Sequence, residues 1–274
     1  MSQHEKDNKN KINNDEPEIL EQGDIYFFYR PKKNSQEVKN IDDIRRFFMI
    51  TAPEPNVQKS QSNNDSQFYR LFVIGKKSLP EIRDSEARAS ERYWARVGGI
   101  FENKHDLTKE LFSDEFRKGD GARPTGFGKY IIVKHKNHAE LAYKLETPQE
   151  PGEAQKEFSI EKEASYIISV INPKKPTPAG YPSSEESPRY PDKVLKEFDE
   201  NETFVSLTKN TNFIDYLNAQ VILIGAREGK DTINREFGID IEEFGSEKSR
   251  DIFKKLDISK DEIPTRPLTK GKLE

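Results

Sequence analysis

Gly128-Lys-Tyr-Ile-Ile-Val-Lys-His135 and Glu140-Leu-Ala-Tyr-Lys-Leu145, parted by the polar Lys136-Asn137-His138-Ala139, read as two strands of a hairpin. Aromatic and β-branched residues crowd both runs, and the polar stretch between them suits a turn. Strand alternation places Lys129, Ile131 and Val133 on one face, and Tyr130, Ile132 and Lys134 on the other.

Working outward, the same chemistry recurs. Ile25-Tyr-Phe-Phe-Tyr29 follows Gly23 and contains no strong helix former. Phe47-Phe-Met-Ile-Thr51 is stopped by Ala52-Pro53-Glu54-Pro55, because proline cannot donate to a ladder. Phe68 to Ile74 ends at Gly75, Ser165 to Ile171 ends at Asn172-Pro173, and Ala219 to Ile224 ends at Gly225. Between the strands, helices are expected. One runs from a Ser85 cap to about Val97, stopped by Gly98-Gly99, with Ala89, Tyr93, Trp94 and Val97 as its apolar stripe and Trp94 buried. A second spans Leu107 to Lys118, a third Pro191 to Phe198, and two more lie before Gly238 and after a Ser246 cap.

Three segments recur in order. GDIYFFYR (Gly23 to Arg30) matches GKYIIVKH (Gly128 to His135), FFMITAP (Phe47 to Pro53) matches IISVINP (Ile167 to Pro173), and LFVIGKK (Leu71 to Lys77) matches ILIGAR (Ile222 to Arg227). The expected fold is therefore α+β, with two related β-rich halves from an internal duplication and helices between and after them. The boundaries are a disordered tail over 1–22, dispensable for folding, a first half over 23–118 and a Gly-rich linker over 119–127. A second half follows over 128–245, then a C-terminal helix and tail over 246–274. The strings GDIYFFYRP, FFMITAP, YRLFVIGKKSLP, YIIVKHKNHAELAYKLE and EASYIISVINP resemble an uncharacterised family of bacterial and archaeal hypothetical proteins. That resemblance covers Gly23 to about Gly271, apart from the polar loop at 56–67. It implies a stand-alone protein and transfers neither a catalytic residue nor a cofactor to this chain.

Composition narrows the chemistry. With no cysteine, disulfides, thiolate metal sites and cysteine nucleophiles are excluded. Charged residues reach 34%, above the usual ~25%, so much of the chain is expected in loops and tails. Seventeen Phe and ten Tyr nonetheless supply a core. The N-terminus has no apolar run for a secretory signal, and no apolar run approaches the ~20 residues that span a bilayer. A cytoplasmic protein with no membrane partner is expected.

Net charge is −4, but Arg117 to Lys144 carries seven Lys/Arg against Asp120 and Glu140, a local +5. The leading expectation is a non-catalytic binding module for an anionic ligand, nucleic acid or a nucleotide, held by Arg123, Lys129, Lys134 and Lys136. Basic-aromatic pairs at Tyr29-Arg30, Arg45-Arg46-Phe47-Phe48, Tyr69-Arg70 and Arg92 to Arg96 suit the same partner, or else place rings in the core with arginines at its edge. His135, His138 and Glu140 form H-x-x-H-x-E, a donor set for Zn²⁺ or another divalent ion. Its spacing matches neither a cupin nor a zincin, and it carries the alternative of a metal-assisted hydrolase. A third reading is a protein-interaction scaffold that docks partners through the loop at 173–191, with six prolines in 19 residues. Gly119 to Lys129 is glycine-rich but lacks the spacing of a phosphate loop, and a strand follows it.

Overall fold

A computed structural model describes residues 16–33, 37–54, 68–82, 92–112, 121–178, 186–229, 231–241, 251–261 and 263–274. Among these residues, nine strands form: β1 (Glu18–Pro31), β2 (Ile44–Pro53), β3 (Tyr69–Ile74), β4 (Arg92–Phe101), β5 (Arg123–His135), β6 (His138–Thr147), β7 (Glu163–Ile171), β8 (Phe204–Ser206) and β9 (Gln220–Glu228). Among the described residues, six short α-helices accompany them: α1 (Lys104–Phe112), α2 (Glu153–Glu157), α3 (Asp192–Leu195), α4 (Thr232–Phe237), α5 (Ile252–Leu256) and α6 (Arg266–Lys270).

Every pairing is antiparallel, and the ladder closes on itself: β1-β2-β3-β4-β9-β7-β6-β5 and back to β1. The result is one eight-stranded barrel, with β8 added to β7 beyond the end of β6. Closure removes the sheet edges that a pair of open sheets would leave unpaired.

This overturns the α+β, two-half reading. Strands of the two supposed halves hydrogen-bond to each other at two seams, β1 with β5 and β4 with β9, so neither half owns a sheet. What the matched segments share is local. A Cβ on Gly23 would sit 2.1 Å from the Ala52 carbonyl oxygen, and one on Gly128 would sit 2.0 Å from that of Lys144. Each glycine admits a neighbouring strand at close range.

The helix expected over 85–97 is also wrong where it is described. Arg92 to Phe101 is β4, with Ala95 and Val97 inside the barrel. Trp94 lies on the outer wall, half-buried, and pairs with Ile222 of β9. A spacing of four, one and three suits a helix, but cross-strand partners on both sides overrode it. The 85–91 part of that expectation, the 113–118 end of the second helix, the loop at 56–67 and the Ser246 cap lie outside the described residues. The supposed tail is corrected as well, since Glu18 to Gln22 already belong to β1; its first fifteen residues lie outside the described residues. The linker expected over 119–127 is strand β5 from Arg123 onward.

An eight-stranded barrel is just wide enough for side chains to fill it. Phe27, Phe47, Tyr143 and Tyr166 face inward, and Phe158, just after α2, stacks on Tyr29 at 5.1 Å and Phe47 at 4.9 Å to fill one mouth. Arg70 closes the opposite end, where its guanidinium meets Glu21 and Asp215. Outside, α1, α5 and α6 cover the wall around Tyr26, Phe48 and Leu71, while α4 lays Ile233 and Phe237 on Ile131, Val133 and Ala142. Among the described residues, no helix is long and apolar enough to cross a membrane.

Candidate metal centre

The β5–β6 hairpin forms as the sequence suggests, and its tip is tighter than four residues. His135 pairs directly with His138, and Lys136 takes a left-handed φ of 55° at the two-residue turn. Strand alternation then puts His135, His138 and Glu140 on the same outer face. Their donor atoms lie within 4.8 Å of one another.

Glu140 is the hub. Its Oε1 lies 3.1 Å from His135 Nδ1 and 2.9 Å from His138 Nε2, and its Oε2 accepts a hydrogen bond of 2.8 Å from Ser165 Oγ on β7. Burial pushes the Glu140 carboxyl upward. The hydrogen bonds from His135, His138 and Ser165 outweigh it and hold the group below the ordinary carboxylate range. His135 is buried against Phe237 of α4, with ring centroids 5.4 Å apart in an edge-on arrangement. Its second nitrogen, Nε2, faces Glu236 Oε1 at 3.9 Å, and Glu236 in turn pairs with Arg227 at 3.4 Å.

These distances suit a metal. Bonds of about 2.0–2.2 Å from nitrogen and oxygen to tetrahedral Zn²⁺ leave donor atoms roughly 3.3 Å apart. The two observed N···O separations, 3.1 and 2.9 Å, are slightly shorter, while the three donor atoms span up to 4.8 Å, so an ion replacing the two N–H protons would draw the imidazoles together. Ser165 steadies the carboxylate and Glu236 faces the outer nitrogen of an imidazole, the outer-shell pattern around bound metals. The His138 side chain is 32% exposed, so the cluster meets solvent on that side.

The four cations expected to hold an anion do not converge. Arg123 is buried beside Tyr29, its guanidinium carbon 5.9 Å from the ring. Lys129 is buried and bonded to Asp24 at 2.6 Å, and Lys255 of α5 takes the other oxygen of Asp24 at 2.6 Å. Lys134, 44% exposed, faces Glu18 at 3.8 Å, and Lys136 is exposed at the turn. Arg123 and Lys134 are eleven residues apart along one strand, about 36 Å.

The basic-aromatic pairs do not form one face either. Arg30 donates to the Glu110 carbonyl at 2.7 Å, Arg70 points into the barrel, and Tyr29 and Phe47 are core. In the Pro-rich loop, Tyr190 is buried and donates to the Phe213 carbonyl at 2.9 Å; residues 179–185 lie outside the described residues.

Sequence reasoning missed Ser165, Glu236 and the Arg70 cluster. Ser165 arrives through β6–β7 pairing and Glu236 through a helix docked 100 residues downstream, so no local pattern flags them. No protein-family model, curated protein or solved structure matches the chain.

Proposed function

We propose that this chain is a divalent-metal-binding β-barrel, with the ion held by His135, His138 and Glu140. The observation that carries the reading is the convergence of two imidazole nitrogens on one carboxylate oxygen, with that carboxylate and one imidazole each faced from behind by a further polar group. Two histidines and a carboxylate suit Zn²⁺ better than Mg²⁺ or Ca²⁺, which take oxygen donors. The anion-binding reading has less support, since Lys129 is neutralised by Asp24 and Arg123 is buried far from the hairpin tip.

The test is titration of chelator-treated protein with Zn²⁺ by calorimetry. One ion per chain is expected, with binding lost in His138→Ala, a variant that removes a partly exposed ring and leaves the core intact. Absence of stoichiometric binding in the parent protein, or its survival in both His138→Ala and Glu140→Gln, sinks the reading.

A metal-assisted hydrolase is the second reading, favoured by the solvent-facing side of His138. Zn²⁺ with an open position supplies hydroxide near neutral pH. Ester or phosphoester hydrolysis that appears with Zn²⁺ and disappears in His138→Ala supports it. Zinc-loaded protein inert towards both classes overturns it while leaving the metal site standing.

A further inference from the structure

The outer wall of β4 alternates cation, ring and cation. Ala95 and Val97 face the barrel interior, so Arg92, Trp94 and Arg96 face out. Phe47 is core, so its neighbour Arg46 on β2 faces out as well. Phe47 pairs with Ile74, and the Gly75 N–H donates to the Trp94 carbonyl at 2.9 Å. Arg46, Gly75 and Trp94 therefore lie in one row, with the Arg46 and Trp94 backbones about 10 Å apart at two strand spacings. Gly75 shapes the middle of that row. A Cβ there would fall 2.1, 2.4 and 2.5 Å from Cε2, Cζ2 and Cδ2 of the indole. Such similar distances to three joined ring atoms put it over the face of the ring and not at its edge. The indole lies flat on bare backbone, and its other face turns away from the wall.

The charges around that ring are unmatched. Arg45, Arg46, Arg92 and Arg96 form no ion pair with a carboxylate among the described residues. Arg96 spends one N–H on the neutral amide oxygen of Asn218 at 2.7 Å, and that amide in turn donates to Glu186 at 3.1 Å. Arg92 is exposed, 5.8 Å from the ring of Phe204. Arg46 is half-buried, and its guanidinium makes no hydrogen bond among the described residues. Burial, and then the charges of Arg45 and Arg96, push it below the ordinary arginine value, while Glu110 of α1 pulls the other way. Protein surfaces ordinarily intersperse both signs of charge. The whole chain carries −4, so the positive excess here is local.

We infer that this face binds single-stranded nucleic acid, with a base stacked on Trp94 and the phosphate backbone passing over Arg46, Arg92 and Arg96. Guanidinium forks hold phosphates, and a flat ring accepts any base because every base has a π-face. A duplex hides its base faces and would leave the indole unused. An acidic peptide engages the arginines but brings no flat group for the ring. An anionic lipid surface calls for a ring that projects from the wall, and this one lies flat on it. The face shares no residue with His135, His138 and Glu140, so the inference stands apart from the metal reading. It also shares none with Arg123, Lys129, Lys134 and Lys136.

The experiment titrates the full chain, treated with chelator, with a labelled thymidine oligonucleotide at low salt. Anisotropy reads binding, and so does the fluorescence of Trp94, the chain's single tryptophan. Saturable binding that quenches Trp94 and weakens steeply as salt rises is expected. Arg46→Gln/Arg96→Gln, at partly exposed positions, should weaken binding more than tenfold and lower the salt slope by about 1 to 2, with a melting temperature no lower than the parent's. Trp94→Leu should weaken binding severalfold and keep the salt slope, and Lys136→Gln and His138→Ala should leave binding unchanged. No binding at low salt overturns the inference. So does binding that leaves Trp94 fluorescence unaltered, or equal affinity in the double variant. Tighter binding of the matching duplex, or equal binding of polyglutamate or anionic vesicles, overturns it too. Thymidine monophosphate that competes mole for mole with the oligonucleotide marks a mononucleotide site and does the same.

Discussion

Glu21 holds both terminal nitrogens of Arg70 across the inside of the barrel, at 2.6 and 2.8 Å. Arg70 is fully buried; Asp215 takes its Nε at 2.5 Å, and the Tyr130 hydroxyl donates to the same Glu21 at 2.7 Å. Burial disfavours the guanidinium charge, but Glu21 and Asp215 outweigh it and raise the Arg70 pKa above its ordinary value. Removing Glu21 strips two charge-assisted hydrogen bonds from the buried guanidinium, leaving only Asp215 to pair with it, and takes the acceptor from the Tyr130 hydroxyl. Glu21→Ala should therefore cost about 3 to 5 kcal/mol in urea unfolding. Deleting residues 1–22 should be at least as damaging, against the expectation that they form a dispensable tail. A melting temperature unchanged by either alteration refutes this role for the cluster.

Gly75 and Trp94 occupy one space. A Cβ on Gly75 would fall 2.1 Å from the indole of Trp94. The ring is wedged against the outer wall, so Gly75→Ala should destabilise by about 1 to 3 kcal/mol. It should also shift Trp94 fluorescence, the chain's single tryptophan signal. Gly75→Ala combined with Trp94→Leu should recover part of that loss. Additive losses instead would show that the two residues do not compete.

Alkaline pH should unfold the barrel. Burial pushes the Tyr29 hydroxyl up to about 12, and Tyr26, Tyr130, Tyr143 and Tyr166 are raised for the same leading cause. Above the ordinary tyrosine value near 10, the unfolded chain loses protons that the native barrel keeps. Native protein then binds more protons than unfolded, so stability falls as pH rises, by up to about 1.4 kcal/mol per pH unit for each such tyrosine. Urea midpoints should be flat below pH 9 and fall steeply above 10, with the phenolate absorbance of these five tyrosines appearing only on unfolding. Tyrosines that titrate near 10 in the native state would contradict this.

The groups behind the metal ligands should matter for Zn²⁺. Ser165→Ala frees one oxygen of Glu140, and Glu236→Gln removes the charge facing His135. Each should weaken Zn²⁺ affinity by about 10- to 100-fold in competition with a chromophoric chelator, with stoichiometry unchanged. Affinity equal to the parent in both variants removes these residues from the site.

The α5 cap gives a milder acid dependence. Asp251 Oδ1 accepts from the Phe253 N–H, and Oδ2 pairs with Lys260 at 3.0 Å. Burial tends to raise this carboxyl, and those partners outweigh it and hold it below the ordinary value. Its contribution is present above the unfolded aspartate value and is lost as pH falls through the lower folded one. Asp251→Asn should reduce stability near neutral pH and flatten the acid limb, seen in melts between pH 2 and 6.

The sequence by itself determined the strands and the hairpin. Ile25 to Tyr29, Phe47 to Thr51, Gly128 to His135 and Ser165 to Ile171 are aromatic or β-branched runs bounded by Gly and Pro, and those are local steric preferences. The same locality placed His135, His138 and Glu140 together, because a two-residue turn and an alternation of two are short-range geometry. Tertiary structure alone decided that β1 pairs with β5 and β4 with β9, which turned two imagined halves into one barrel. It also made a strand of a segment spaced like a helix, and it buried Lys129 against Asp24 instead of leaving it for an anion. Those outcomes depend on partners far away in the chain, such as Lys255, which shares Asp24 with Lys129 from 231 positions away. Pairing across such separations is settled by the collective closure of the sheet and the filling of its interior, and neither is written in any single run of residues.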